Sequence, residues 1–283
     1  MVHSLKRLIP RRYRNAAVEI PVIRLHGMIM DHPASSRSVI SFRLVAPLLE
    51  EAFADKEAPV VAIVINSPGG SPVQSRLIFR RIRALAEEKD KKVLVFVEDV
   101  AASGGYMIAC AGDEIFADSS SIVGSIGVVS SSFGFPELLK KLGVERRVHT
   151  AGRNKVTLDP FQPEKEEGVA HLKALQQEIH DGFINIVKAR RASQLCDDPD
   201  LFTGLFWTGT KALDLGLIDA IDDIYAVVRQ RYGKEATLRF IDPPKKGFLQ
   251  RFLPSLQASS LDGLAENTLL VAQARALWQR FGL

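Results

Sequence analysis

Cysteine is scarce in this chain: only Cys110 and Cys196 occur among 283 residues, in segments that read as helical and lie far apart. Two distant thiols suggest neither a disulfide framework nor a zinc site, and they fit a reducing compartment. Long apolar runs are missing too. No stretch reaches the roughly 18 uninterrupted apolar residues of a spanning helix, and the basic start runs into "AAVEIPVIRL", broken by Glu19, Pro21 and Arg24. Neither a transmembrane helix nor a cleaved secretory signal is expected, and the reading is a cytoplasmic chain. Charge of one sign is also short. The 37 basic and 33 acidic residues leave +4, which does not suggest a nucleic-acid protein. Part of the excess gathers in "MVHSLKRLIPRRYR", where Leu5, Leu8 and Ile9 are interspersed with Lys6, Arg7, Arg11, Arg12 and Arg14. Such a segment reads either as a solvated tail or as a peripheral contact with an anionic membrane surface.

Nucleotide signatures are absent as well. No Gly-Lys-Ser/Thr follows either glycine-rich turn, and no G-x-G-x-x-G occurs, so neither a P-loop nor a dinucleotide fold is indicated. Ser103 lacks the G-x-S-x-G setting, because Ala101 and Ala102 precede it. No cofactor and no metal are expected.

What remains is an ordinary globular composition, 46% hydrophobic and 25% charged, with room for one large core. Strand-length apolar runs alternate with amphipathic stretches, which argues for an α/β fold of β-α-β units. "AVEIPVIRLHGMIM" opens as a strand, "VISFRLVAPLLEEAFAD" follows as a helix, and "PVVAIVIN" is a buried strand. In "VQSRLIFRRIRALAEEK" the 3.6-residue period puts Val73, Leu77, Ile78, Ile82 and Leu85 on one face. "KVLVFVE" is a further buried strand, "YMIACAG" a short buried helix and "EIFAD" another strand. The division is a basic tail over 1–17, a main domain over 18–232, and a linker with a C-terminal amphipathic helix over 233–283. That helix puts Leu270, Ala274, Leu277 and Phe281 on one side. It reads as packing on a neighbouring subunit, or as a membrane-surface element with Trp278, Arg275 and Arg280 at the interface.

Two glycine-rich turns stand at strand-to-helix junctions, where α/β folds place their ligands. "NSPGGS", residues 66–71, follows "VVAIVI"; "ASGGY", residues 102–106, follows "VLVFVE". Pro68 fixes one dihedral and the paired glycines permit conformations closed to other residues, so free N–H groups can face a carbonyl oxygen. That is the requirement of an oxyanion hole. A serine hydroxyl also needs a base. No histidine follows Ser103 until His149; His3, His26 and His32 come early, and His171 and His180 fall in a charged helix. Lysine is the other solution, since desolvation lowers its pKa and frees a neutral amine. Lys140 and Lys141 read as solvated, whereas Lys155 lies in a loop between Gly152 and Pro160, followed by Val156 and Leu158.

"INSPGGS", "DVAASGGYMIACAGDEIFADSSSIVGSIGV" and "GRNKVTLDPF", together with "FWTGTKALDLGLID" at 206–219, resemble the signal peptide peptidase A family. These are serine peptidases with a Ser/Lys dyad, and the likeness runs from about residue 18 to 230. It implies a crotonase/Clp-protease-like fold of repeated β-β-α units, carrying here a C-terminal helical extension. Ser103 would be the nucleophile and Lys155, 52 positions later, the general base. Ser125 would orient the lysine, and the N–H groups of Gly70 and Gly104 would form the oxyanion hole, with Gly69 a further candidate. The likeness also implies a homo-oligomer, a tetramer or octamer arranged as a ring or dome, acting on signal-peptide remnants and other unfolded or membrane-derived peptides. Unlike the anchored members, this sequence shows no transmembrane helix ahead of the domain.

Two other enzyme classes share such turns. Resemblance to a Clp-like Ser/His/Asp peptidase would imply a histidine about 25 residues after the serine, but position 128 is Val128 and no histidine lies near. A crotonase-type acyl-CoA enzyme would use both oxyanion turns without a nucleophile, and residues 99–106 offer it only Asp99. A catalytically dead scaffold is disfavoured because both members of the dyad are present.

Overall fold

The computed structural model describes residues 17–31, 39–242 and 275–282. Residues 1–16 of the basic tail, most of the C-terminal linker, and Leu270 and Ala274 lie outside the described residues.

Ten strands and seven named helices follow one another among them. Strands β1 (Glu19–His26), β2 (Met28–Ile29) and β3 (Val39–Ile40) lead into helix α1 (Phe42–Ala54). Then come β4 (Val60–Ser67), α2 (Pro72–Lys89), β5 (Lys92–Ala102), α3 (Gly104–Ala109), β6 (Glu114–Ala117) and β7 (Ile122–Gly124). After α4 (Pro136–Lys141) and α5 (Glu166–Arg191) the chain forms β8 (Phe206–Thr208), α6 (Gly209–Asp214), β9 (Ala220–Ile221), α7 (Ile224–Tyr232) and β10 (Thr237–Phe240). The main sheet has the order β10-β1-β4-β5-β6-β9, with β7 beside the end of β5 and β8 beside β7. Every pairing is parallel except that of β7 with β8.

A parallel sheet is covered on both faces, so its strands are continuous apolar runs. All eight residues of β4 are buried. Ile63, Ile65, Val93 and Val95 pack beneath α1, α2, α3 and α5. Val60, Ala62, Leu94 and Phe96 pack on the other face against Val227 and Val228 of α7.

The buried stripe of α2 runs through Ser75, Ile78, Ile82, Leu85 and Ala86. Val73 and Leu77, expected on it, are 65% and 39% exposed. At about 3.6 residues per turn these two share a side roughly opposite Ser75, Ile78 and Ile82, so they face away from the sheet while Ser75 in the same turn is buried. Cys196, expected in a helix, sits exposed in the loop after α5, whereas Cys110 ends α3 and is buried. The backbone is again helical over 275–279. Phe281 is buried against Val100 and Ala102, with Trp278 and Ile122 alongside. Its ring meets Phe206 edge-on at 4.9 Å, so this end packs on the sheet of its own chain.

Residues 127–165, between β7 and α5, form an arm of a different character. Apart from α4 it has no regular helix or strand, and nearly all of it is exposed. Phe133, Phe135 and Phe161 form a ring cluster on it, with centroids 6.4 and 5.7 Å apart, yet Phe133 remains 80% exposed.

Candidate active site

The turn after β4 requires its two glycines. Gly69 has φ +100° and Gly70 φ +145°, values that side-chain-bearing residues rarely adopt. A Cβ on Gly70 would stand 2.1 Å from the Ile29 carbonyl oxygen. That closeness comes from a short bridge in which Ile29 N donates to Gly69 O (2.9 Å) and Ser71 N to Ile29 O (2.7 Å). Gly69 N–H donates to Ser67 Oγ at 3.2 Å, and that hydroxyl donates to Gly27 O at 2.7 Å. The N–H of Gly70, an exposed residue, has no hydrogen-bond partner among the described residues.

The turn after β5 carries Ser103 at φ 52°, ψ −119°, a region sparsely populated by residues other than glycine. Its N–H donates to Gly124 O (2.8 Å), and its carbonyl accepts from Met107 N (2.9 Å), which starts α3. The Ser103 hydroxyl is without a partner among the described residues and is partly exposed, while the residues around it are buried. Gly104 N–H, at the first position of α3, is likewise unpaired. A side chain on Gly104 would strike Ser75 Oγ at 2.3 Å, and one on Gly105 the Ser67 carbonyl at 2.7 Å. The two turns therefore interlock, with the unpaired N–H groups of Gly70 and Gly104 on turns in mutual contact.

Ser125 lies next to Ser103. The last register pair of β5 and β7 is Ala102↔Gly124, and parallel neighbours stand about 4.8 Å apart. Ser125 also has positive φ, 53°, and is held by its N–H to Leu205 O at 2.7 Å. The Trp207 ring covers Gly124 so closely that a Cβ there would be 2.8 Å from it. From the other side His180 of α5 places Nε2 3.0 Å from Ile126 O.

Lys155 is the predicted site residue that does not join this group. It is exposed on the arm, its N–H bonds Gly152 O at 3.2 Å, and its amine bonds neither Ser103 nor Ser125. The apolar surroundings expected from Val156 and Leu158 do not enclose it within a single chain. A cavity of about 430 Å³ on the arm, lined by Arg153, Val156, Leu158 and Lys165 among others, also lies away from Ser103.

Sequence reasoning passed over the residues that brace the turns. Tyr106 of α3 donates to Leu217 O at 2.7 Å, and buried Arg191 of α5 bonds Asp219 (2.7 Å) and Gly216 O (3.1 Å). This gives the motif at 206–219 a physical role in anchoring α3. Burial pushes the Cys110 thiol up to about 12. Asp99, the acid nearest Ser103 in sequence, accepts a bond from Asn66. Among the described residues no cluster of His, Cys, Asp or Glu could hold a metal ion, and no helix is long and apolar enough to cross a membrane.

The mostly parallel α/β sheet, with two interlocked glycine-rich turns at its carboxyl edge, is of the Clp/crotonase-like fold class. A family model described as peptidase family S49 matches residues 86–238, and the chain belongs to that family, the signal peptide peptidase A family. It is 62% identical over 287 aligned positions to a Brucella melitensis protein named Na(+)/H(+) antiporter NhaA, covering 99% of this chain and 39% of that one. The chain thus spans well under half the length of that relative. It is 30% identical over 224 positions to the chloroplastic serine protease SPPA of Arabidopsis thaliana, covering 75% of this chain and 32% of the relative. To the probable protease SohB of Haemophilus influenzae it is 31% identical over 208 positions, covering 73% and 58%.

Proposed function

We propose that the chain is a serine endopeptidase in which Ser103 is the nucleophile and Lys155 the general base. The observation that carries this reading is the strained Ser103, held between turns that leave the Gly70 and Gly104 N–H groups unpaired. Backbone strain of this kind persists where function requires it. Ser103 Oγ attacks the peptide carbonyl as the neutral Lys155 amine takes its proton. The oxyanion then accepts from Gly70 and Gly104. Collapse breaks the C–N bond, the leaving amine receives the proton from Lys155, and water hydrolyses the acyl-enzyme by the same route. Gly69 serves the turn rather than the oxyanion, because its N–H is committed to Ser67. Ser125 accepts a hydrogen bond from the lysine and orients it.

The base comes from a neighbouring copy. Within one chain Lys155 does not reach Ser103, and its arm exposes Phe133, Leu138, Leu142 and Val144, more apolar surface than a solvated arm needs. A head-to-tail contact in which each arm meets the next protomer's Ser103 closes into a ring. The tetramer or octamer so formed has one site per contact and admits only short or unfolded peptides, signal-peptide remnants and membrane-derived segments among them. Labelling with a fluorophosphonate and mapping of the modified residue tests the reading: modification at Ser103 is expected, and modification elsewhere with Ser103 untouched overturns it.

A further inference from the structure

Strands β4 and β5 run in step from Val60↔Lys92 to Ile65↔Val97, and then the register shifts, for the next pair is Ser67↔Ala101. Asn66 of β4 therefore stands opposite three residues of β5, Glu98, Asp99 and Val100. Such a bulge bends its strand and re-aims the residues beyond it, and Ser103 stands just beyond this one.

Several bonds tie the bulge down. Asn66 Nδ2 donates to Asp99 Oδ2 at 2.6 Å. The Ser121 hydroxyl reaches the Glu98 carbonyl at 2.5 Å, and Arg24 of β1 pairs with the Glu98 carboxylate at 2.8 Å. Only the first of these joins the two strands that carry the glycine turns. Asn66 is 3% exposed and its Oδ1 has no partner, so the bond to Asp99 is the side chain's one tie. Asn66 precedes Gly70 by four residues, and Asp99 precedes Ser103 by four. The bond thus links the two turns at equal distance from the oxyanion donor and from the serine.

We infer that Asn66 and Asp99 are positioning residues: their hydrogen bond selects one arrangement of the β5 bulge and so sets Ser103 against the Gly70 N–H. A stretch with two surplus residues can settle in more than one way, and a short bond to an ionised acceptor is strong enough to choose among them. This inference rests on the proposed role of Ser103.

Asp99 is exposed, so Asp99→Ala removes the acceptor without opening a cavity. Its kcat for peptide hydrolysis and its rate of fluorophosphonate labelling at Ser103 are expected to fall about tenfold or more, as small displacements of reacting groups do, with KM and circular dichroism little changed. In Asn66→Asp two carboxylates face each other. The exchange variant Asn66→Asp with Asp99→Asn restores the bond with reversed polarity, and its labelling is expected to recover most of the loss. Wild-type labelling in Asp99→Ala, or an exchange variant no faster than Asn66→Asp alone, overturns the inference. Undiminished hydrolysis by Ser103→Ala in the same assay overturns the reading of Ser103 as nucleophile instead.

Discussion

A Cβ placed on Gly69 would lie 2.9 Å from the Cβ of Ser103. The turns after β4 and β5 are thus in direct contact, and any side chain at Gly69 displaces the serine turn. Ala102 O, 2.8 Å from the same point, leaves it no escape on the β5 side.

Glycine substitutions should therefore separate strain from chemistry. Gly70→Ala adds a side chain against Ile29 O and shifts the N–H assigned to the oxyanion, so kcat is expected to fall about 10²-fold or more. Stability should fall by about 1–3 kcal/mol, read by urea denaturation. Gly233→Ala, at the end of α7 and off the arm, is the control: its φ is +98° but nothing lies within 4 Å of the added carbon. It should cost about 1–2 kcal/mol and leave kcat unaltered.

Ser103→Ala and Lys155→Ala should each abolish peptide hydrolysis. Mixing the two inactive proteins, after dissociation and reassembly, should restore part of the activity, because some contacts then join an intact serine to an intact lysine of another copy. No recovery in the mixed assembly would show that each lysine serves its own chain.

Alkylation should discriminate the two thiols. Burial raises Cys110 to about 12, and only the thiolate reacts. Iodoacetamide at neutral pH is expected to modify exposed Cys196 and to spare Cys110 until the protein unfolds, as read by mass spectrometry.

Arg191 is 2% exposed and holds α5 to the turn at 216–219 through Gly216 O and Asp219. Removing one partner of a buried ion pair costs about 3–5 kcal/mol. Arg191→Ala should show a loss of this size in urea denaturation, with slower labelling of Ser103 because α3 loses its backing.

Arg231 donates two bonds to Glu114, at 2.6 and 2.7 Å, and these hold the Glu114 carboxyl below its usual value of 4.5. A depressed carboxylate adds stability above its unfolded pKa and loses it as pH falls through the folded one. The deficit of Arg231→Gln relative to the unaltered protein should be at most about 1 kcal/mol for so exposed a pair. It should be present at neutral pH and shrink in acid, as measured by denaturation at several pH values.

Much of the fold is legible in the chain itself. "PVVAIVIN" and "KVLVFVE" are runs of branched residues that only a doubly covered strand accommodates, and both form central strands. Ser103 and the paired glycines announce their junctions because small residues there serve close approach. Val73 and Leu77 are apolar yet exposed, because at about 3.6 residues per turn they lie roughly opposite Ser75, Ile78 and Ile82 and form a separate side of the helix that faces solvent. Asn66 and Asp99 carry no local signal, since their relation depends on a register shift between strands.

By itself, then, the sequence determined the alternation of strands and helices, the two turns and the family motifs, because each depends on neighbours a few positions away. The tertiary structure alone decided that Ser125 lies beside Ser103, that Gly69 is committed to Ser67, that the strands bulge at Asp99, and that Lys155 stays exposed on its arm. Those outcomes come from contacts between segments remote in the chain. Whether Val156 and Leu158 bury a lysine depends on what covers them, and within one chain nothing among the described residues encloses it.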